Sequence, residues 1–273
     1  MFTARAHLRY IVIPSARIDR AEGQPDVGDR QGQLKYRRVL LKLSGEILRN
    51  PGNGECICPQ VVAAMAANVQ RVAVLGCQVA IVIGGGNIFR GTIGAASGID
   101  RSSGDYMGML STVINALALQ NGLEKIGLAT RVMTAVEMPK VAEPFILRRA
   151  LRHLDKGRVI ILAGGTGNPY FSTDTAAALR ASELQAGVLL KATKVDGIYT
   201  ADPKLDRAAV RYDRLSYQTA LARRIKVMDS TAFALCMENA IPIIVFDFFE
   251  PQAFERVVTG GKVGTLVNDE PEA

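Results

Sequence analysis

The chain has 273 residues, 48% of them hydrophobic, enough for one sizeable core or for two small lobes. It has no apolar run of the ~20 residues that a membrane-spanning helix needs, and its four cysteines, Cys56, Cys58, Cys77 and Cys236, include no C-x-x-C pair while histidines number only two, so a membrane role and zinc chemistry are poorly supported. The net charge of +7 is concentrated at the start, where residues 1–38 hold eight Arg/Lys against four Asp/Glu; with no Trp, 6% aromatics and no basic stripe in the body, a nucleic-acid partner is not expected.

Residues 1–34 are Arg-rich and then built from Gly, Gln, Asp and Pro without helical or strand periodicity, which predicts a poorly ordered extension ahead of a single domain over 35–273. The first 18 residues lack an acidic group, a feature compatible with a transit peptide or with an upstream start codon. Val39-Leu40-Leu41-Lys42-Leu43, followed by Ser44-Gly45-Glu46, predicts the first buried strand. Its lysine fits either a sheet edge or solvated strand end, or an ammonium aimed at a bound phosphate beside the Ser44 and Gly45 backbone. Pro59 opens a helix with Val62, Met65, Val69 and Val72 on one face, ending near Gly76.

Gln78–Arg90 reads QVAIVIGGGNIFR, an apolar strand emptying into Gly84-Gly85-Gly86-Asn87 with Arg90 close behind. Three glycines put no Cβ between backbone and ligand, so successive N–H groups can wrap a phosphate while Arg90 forks onto it. The run matches neither G-x-G-x-x-G nor the Walker pattern, and no Gly-Lys-Ser/Thr occurs in the chain, which disfavours a P-loop kinase or a Rossmann dehydrogenase. A long helix is predicted from Gly104-Asp105, with Met107, Leu110, Val113, Ile114, Leu117 and Ala118 as a core-facing stripe; Asp105 fits a dipole-favoured helix start or a ligand contact. Thr130–Val136 predicts a strand and the segment up to Asp155 a helix.

The stretch from Val159 to Pro203 concentrates the chemistry. Val159–Ala163 is a buried-strand run that ends in Gly164, Gly165 and Gly167, a make-up that by itself fits a plain tight turn as well as a ligand loop. Thr166, Asn168, Ser172, Thr173 and Asp174 crowd that loop with polar groups, and Asp174-Thr175 opens an Ala-rich helix whose N-terminal N–H groups suit an anion. A second strand, Val188–Leu190, delivers Lys191, Thr193, Lys194 and Asp196 to the same sheet edge, where open α/β sheets bind ligands. Lys191 fits a stabilising pair with Asp174 or Asp196 as well as a catalytic cation. Beyond the turn Thr200–Pro203, residues 216–240 are predicted helical, Ile243–Phe246 a strand, and Val263–Val267 the closing strand. Cys77 and Cys236 lie in apolar runs and read as buried free thiols in a reducing cytoplasm.

Five motifs in order, LLKLSGE at 40–46, VIGGGNIFRG at 82–91, GDYMGML at 104–110, GTGNPYFSTD at 165–174 and KATKVDGIYTADP at 191–203, resemble those of the bacterial-type uridylate kinases of the amino-acid kinase family, over about Tyr36–Val267. KLSG or the GGG turn alone would be shared with acetylglutamate and aspartate kinases; the TGNPYFSTD loop and the GDYMGM helix point to UMP. The resemblance implies an α/β fold, a three-layer α/β/α sandwich around a mostly parallel open sheet, and transfer of the ATP γ-phosphoryl group to UMP with Mg²⁺, a step of pyrimidine nucleotide biosynthesis. It assigns Lys42, Leu43, Ser44, Gly45, Gly86 and Arg90 to the ATP phosphates and Thr193, Tyr199 and Asp202 to the adenosine end. Gly85, Asp105, Thr166, Gly167, Asn168, Pro169, Tyr170, Phe171, Ser172 and Thr173 would hold UMP. Lys42 and Arg90 would stabilise the charge of the transferring group, with Asp174 orienting Lys42 and the Mg²⁺ ligands undetermined. A cytoplasmic homohexamer inhibited by UTP and activated by GTP is implied as well, with Arg131 the cation remaining where some relatives hold GTP. A carboxylate or carbamate kinase, or a non-catalytic nucleotide sensor on the same scaffold, stands as the alternative.

Overall fold

A computed structural model describes residues 34–269, apart from 51, 53, 91–97, 204 and 207. The expected N-terminal extension falls almost wholly on residues 1–33, outside the described residues, as does Gly91 of the second motif. Nine strands of the described residues form one sheet in the order β4-β3-β5-β2-β1-β6-β8-β9-β7. They are β1 Arg38–Leu43, β2 Gln78–Ile83, β3 Thr130–Thr134, β4 Glu143–Pro144, β5 Val159–Ala163, β6 Val188–Thr193, β7 Arg214–Leu215, β8 Ile243–Asp247 and β9 Thr265–Val267. Neighbours run parallel except β8 and β9.

The central strands are apolar on both faces because helices cover both. Val39, Leu41 and Leu43 of β1 pack with helices α1 (Pro59–Val74), α2 (Arg101–Lys125) and α7 (Ala253–Val258). Leu40 points the other way, into the layer of α3 (Leu147–Asp155), α4 (Thr173–Glu183), α5 (Tyr217–Ala222) and α6 (Ser230–Glu238). This alternation is the period-2 geometry of a strand, and each fully buried Leu or Ile of the run contributes about 1.5–3 kcal/mol. The three-layer α/β/α sandwich expected from the sequence is the observed architecture. Cys77 and Cys236 are buried free thiols, each pushed up to about 12 by burial, hence unreactive. Among the described residues, no helix is long and apolar enough to cross a membrane.

Four expectations are corrected. Lys42 sits at neither an edge nor a solvated end: β1 lies mid-sheet between β2 and β6, and Lys42 is 4% exposed. The helix expected from Gly104 starts at Arg101, capped by Asp100, whose side chain accepts from Ser103 N, so Asp105 lies a full turn inside it. Residues 216–240 form two helices rather than one, because Asp229 accepts from Ala232 N at 2.7 Å and starts α6 afresh. The stripe expected to face the core is turned outward: Met107, Leu110 and Ile114 are exposed, and of the six residues only Val113 is buried. The inner face of α2 instead carries Met109, Ser111, Thr112, Asn115, Ala116 and Leu119, polar where it meets the loops leaving the sheet. The two-residue strands β4 and β7 and the short helix α7 are too brief for a periodic signal and had no counterpart in the expectations.

Candidate active site

The parallel strands β1, β2, β5, β6 and β8 deliver their carboxyl ends to one edge of the sheet. At that edge α4 begins: Ser172 caps it, its Oγ accepting from Asp174 N at 2.9 Å and Thr175 N at 3.1 Å. Ser172 Oγ also donates to Asp229, which further accepts from Thr175 Oγ1, so a carboxylate 57 residues along the chain fixes the start of α4. Thus anchored, Asp174 presents Oδ1 to two ammonium groups, Lys42 Nζ at 2.7 Å and Lys191 Nζ at 2.5 Å. Burial raises the affinity of this carboxyl for a proton, but the two lysines together outweigh it and hold the group below the usual carboxylate range, as a carboxylate. The structure thus gives Asp174 both cations that the sequence considered for it, and pairs Lys191 with Asp174 rather than with Asp196.

Leu43, Ser44 and Gly45 carry the chain from β1 into a 3-10 turn, Gly45–Leu48. Leu43 O accepts from Gly84 N at 2.9 Å, joining this turn to the loop after β2. Asn87 and Asn115, both buried, bond each other through their amides at 2.7 and 3.0 Å; Asn115 Nδ2 also reaches Gly84 O, and Asn87 Nδ2 reaches Cys56 O. Gly86 has neither a left-handed φ nor a crowded side, the nearest atom to a Cβ there being Glu46 Oε1 at 3.4 Å. Its open flank lies beside Arg90, whose guanidinium is held by Glu46 at 2.6 Å.

A cavity of about 130 Å³ lies between the two glycine loops and the start of α2, lined by Gly85, Gly86, Asp105, Met109, Phe171 and Thr173 among others. Asp105 Oδ2 accepts from Tyr170 N at 2.7 Å and from Arg101 Nε at 2.8 Å, so it ties α2 to the loop after β5. Arg101 also stacks over the Tyr170 ring, 5.5 Å from its centre. Thr166 Oγ1 and the Asn168 backbone bond each other, Gly167 N donates to Gly164 O, and Gly164 N donates to Thr112 Oγ1 at 2.7 Å. Asn168, Tyr170 and Phe171 are exposed, Pro169 half-buried, in a loop open to incoming groups.

The expected adenosine contacts lie at the end of β6 and in the chain that follows it. Thr193 ends β6, its Oγ1 turned to Val195 and Phe246 O. Tyr199 donates to Asp196 Oδ1 at 2.6 Å and holds that carboxyl low, while the Asp202 carbonyl accepts from Leu205 N and Asp206 N. These three line the chain leaving β6. Sequence reasoning assigned no part to Glu46, Asn87, Thr112, Asn115, Arg101 or Asp229. Glu46 and Asn87 lie inside the motifs at 40–46 and 82–91, and Thr112 and Asn115 are polar positions at i, i+3 within the stretch Met109–Leu119; Asp229 reads locally only as a helix N-cap, with nothing in the sequence to join it to Ser172.

The sequence profile described as the amino acid kinase family matches residues 37–247, and the chain belongs to that family. Among solved structures, it is similar to UMP kinase from Bacillus anthracis, at 40% identity and a TM-score of 0.84, covering 86% of this chain and 97% of that one. UMP kinase from Ureaplasma parvum matches at 36% identity and 0.80, covering 86% and 100%, and uridylate kinase from Archaeoglobus fulgidus at 30% and 0.64, covering 84% and 99%.

Proposed function

We propose that this chain is a UMP kinase, passing the γ-phosphoryl group of ATP to UMP to give UDP and ADP. The observation that carries this is the buried Lys42–Asp174–Lys191 cluster at the start of α4, where the preceding residue Thr173 lines the cavity between two glycine loops, in a chain 40% identical to a UMP kinase. Phosphoryl transfer asks for alignment and for cations where oxygen charge develops, more than for covalent work by the protein. Lys42, with Asp174 fixing its ammonium, supplies one such cation, and Arg90 a second once phosphate oxygens compete with Glu46 for its fork. Leu43, Ser44, Gly45 and Gly86 offer backbone to the ATP phosphates, and Thr193, Tyr199 and Asp202 the adenosine end. Asp105, an acceptor-only carboxylate at the cavity wall, suits ribose hydroxyls. Gly85 and the run Thr166–Thr173 suit the uracil edge and the acceptor phosphate, whose oxygen is deprotonated near neutral pH and needs no general base.

Mg²⁺ supplies charge neutralisation between phosphates when ATP binds. Among the described residues no three Asp, Glu, His or Cys side chains converge as a metal cage, which fits an ion held chiefly by nucleotide oxygens and water, as is usual for Mg²⁺. A cytoplasmic place of action fits the four unpaired cysteines. The outward apolar stripe of α2, Tyr106, Met107, Leu110 and Ile114, fits burial against a second copy within a homohexamer. UTP fits the acceptor site through the same uracil and ribose contacts, its tail blocking the ATP phosphates. Activation by GTP at Arg131 is expected to be modest, since Glu124 and Glu143 already lie 3.7 Å from that guanidinium.

The test is ADP release coupled to a reporter, with UMP, CMP, dUMP, aspartate and acetylglutamate offered in turn. Strong turnover with UMP is expected, and Lys42→Ala should lower kcat ~100-fold, about 3 kcal/mol, far more than it raises the KM for UMP. Turnover with an amino acid and none with UMP would overturn the assignment.

A further inference from the structure

Lys42 and Lys191 are register partners on adjacent parallel strands at the centre of the sheet. Both ammonium groups crowd a single oxygen of Asp174, and the lysines are 4% and 8% exposed. Two buried cations against one carboxylate leave one positive charge without an ion-pair partner among the described residues, an arrangement that is costly in a low-dielectric interior. The sheet itself gives no reason for the second lysine: the neighbour of Lys191 on its other side is Val245 of β8, and β6 is otherwise apolar up to Thr193. An excess charge of this kind is stable when an anion arrives from outside, or when one ammonium gives up its proton.

We propose that Lys191 is a proton-linked positioning residue, which holds Asp174 and Lys42 in one arrangement and takes up a proton as nucleotide phosphates dock at Lys42. The inference rests on the site assignment above. The charged groups acting on Lys191 are Lys42 from β1 and Asp174 from α4. Burial lowers its pKa most, the Lys42 ammonium lowers it further, and Asp174 offsets part of this, leaving it lowered to about 8. In the nucleotide-free protein Lys191 is therefore charged at pH 6.5 and about half discharged at pH 8. A triphosphate placed beside the pair favours the charged form, so binding at pH 8 draws a proton from solvent while binding at pH 6.5 does not. Above that range the free protein presents one cation fewer, and nucleotide capture weakens.

Calorimetric titration of the full chain with Mg²⁺ and a non-hydrolysable ATP analogue, in two buffers of different ionisation enthalpy, tests this directly. We expect uptake of about half a proton per site at pH 8 and almost none at pH 6.5. Lys191→Arg, which keeps its charge at every accessible pH, should bind the analogue without uptake and should flatten the alkaline fall of kcat/KM. Lys191→Met, of similar length, gives a second variant without a titrating group. Binding by the wild type with no proton uptake, or uptake that persists in both variants, would overturn the inference and leave the site assignment standing. Absence of ADP release with UMP would remove both. A purely structural lysine predicts a loss of melting temperature in the variants with an unchanged pH profile.

Discussion

The two glycine loops at the sheet edge look alike in sequence and differ in why they need glycine. At Gly84–Gly86 none of the three residues has a positive φ, and at Gly85 what excludes a side chain is contact: a Cβ there would lie 2.6 Å from Gly108 O and 2.7 Å from Ser111 Cβ. At Gly164–Gly167 the three glycines have φ of +77°, +59° and +82°, so there the backbone conformation itself disfavours other residues. Gly165 shows this most cleanly, because a Cβ on it would meet nothing nearer than Met109 Cγ at 3.9 Å. The first loop is pressed onto α2 at Gly85; the second follows a left-handed path, is crowded at Gly164 and Gly167 by Thr134 and Ala135 after β3, and is tethered by Thr112 and Asp105. One helix thus sets the distance between the loops, and errors on its inner face reach both.

The largest effect follows from the pressed loop. Gly85→Ala must move either the loop or the α2 backbone, since the atoms it meets belong to Gly108 and to the root of Ser111 rather than to a flexible tip. Overpacking of this kind costs about 1–3 kcal/mol of stability, and a displacement near 1 Å at a reacting centre costs about 100-fold in turnover. UMP-dependent ADP release should fall on that scale with a measurable drop in melting temperature. Wild-type values for both would show that the approach is looser than the distances say.

Asp105→Asn is expected to act on the second loop alone. The carboxylate holds Tyr170 N and Arg101, and a neutral amide oxygen keeps the acceptor but loses the charge assistance, a difference of about 1 kcal/mol. The KM for UMP should rise about 5-fold, with the KM for ATP nearly unchanged and the melting temperature lowered by about 2–4 °C. A stability loss with unchanged kinetic constants would instead make Asp105 a structural tether.

The sequence made the sheet legible because β1, β2, β5 and β6 are short apolar runs rich in Val, Ile and Leu, three of them bounded by glycine, the make-up of strands buried on both faces. Asp174 beside Lys42 was legible through resemblance rather than spacing, as 132 positions separate them. The orientation of α2 was not legible. Its periodicity defines a stripe of Met107, Leu110 and Ile114, but period alone does not say which side meets the core, and the polar side won because Thr112 and Asn115 satisfy backbone groups of Gly164 and Gly84. Asp229 was beyond reach for the same reason: its partners Ser172 and Thr175 are neighbours only after folding. Tyr199 and Asp202 were named by motif, and their local bonds to Asp196, Leu205 and Asp206 are matters of loop geometry that no pattern carries.

The smallest effect discriminates most sharply between the loops. At Gly165 an added Cβ has room, so the cost of Gly165→Ala is the left-handed backbone alone, about 1–2 kcal/mol. Asparagine tolerates that region better than alanine, so Gly165→Asn should unfold at a denaturant concentration between those of Gly165→Ala and the wild type. At Gly85 the order must reverse, because there size is what costs, and asparagine is larger than alanine: Gly85→Asn should be the less stable of its pair. Four unfolding midpoints, measured in one buffer, therefore carry the comparison. If alanine outranks asparagine at both positions, backbone conformation does not govern the second loop, and if asparagine outranks alanine at both, the first loop is not closed by contact with α2.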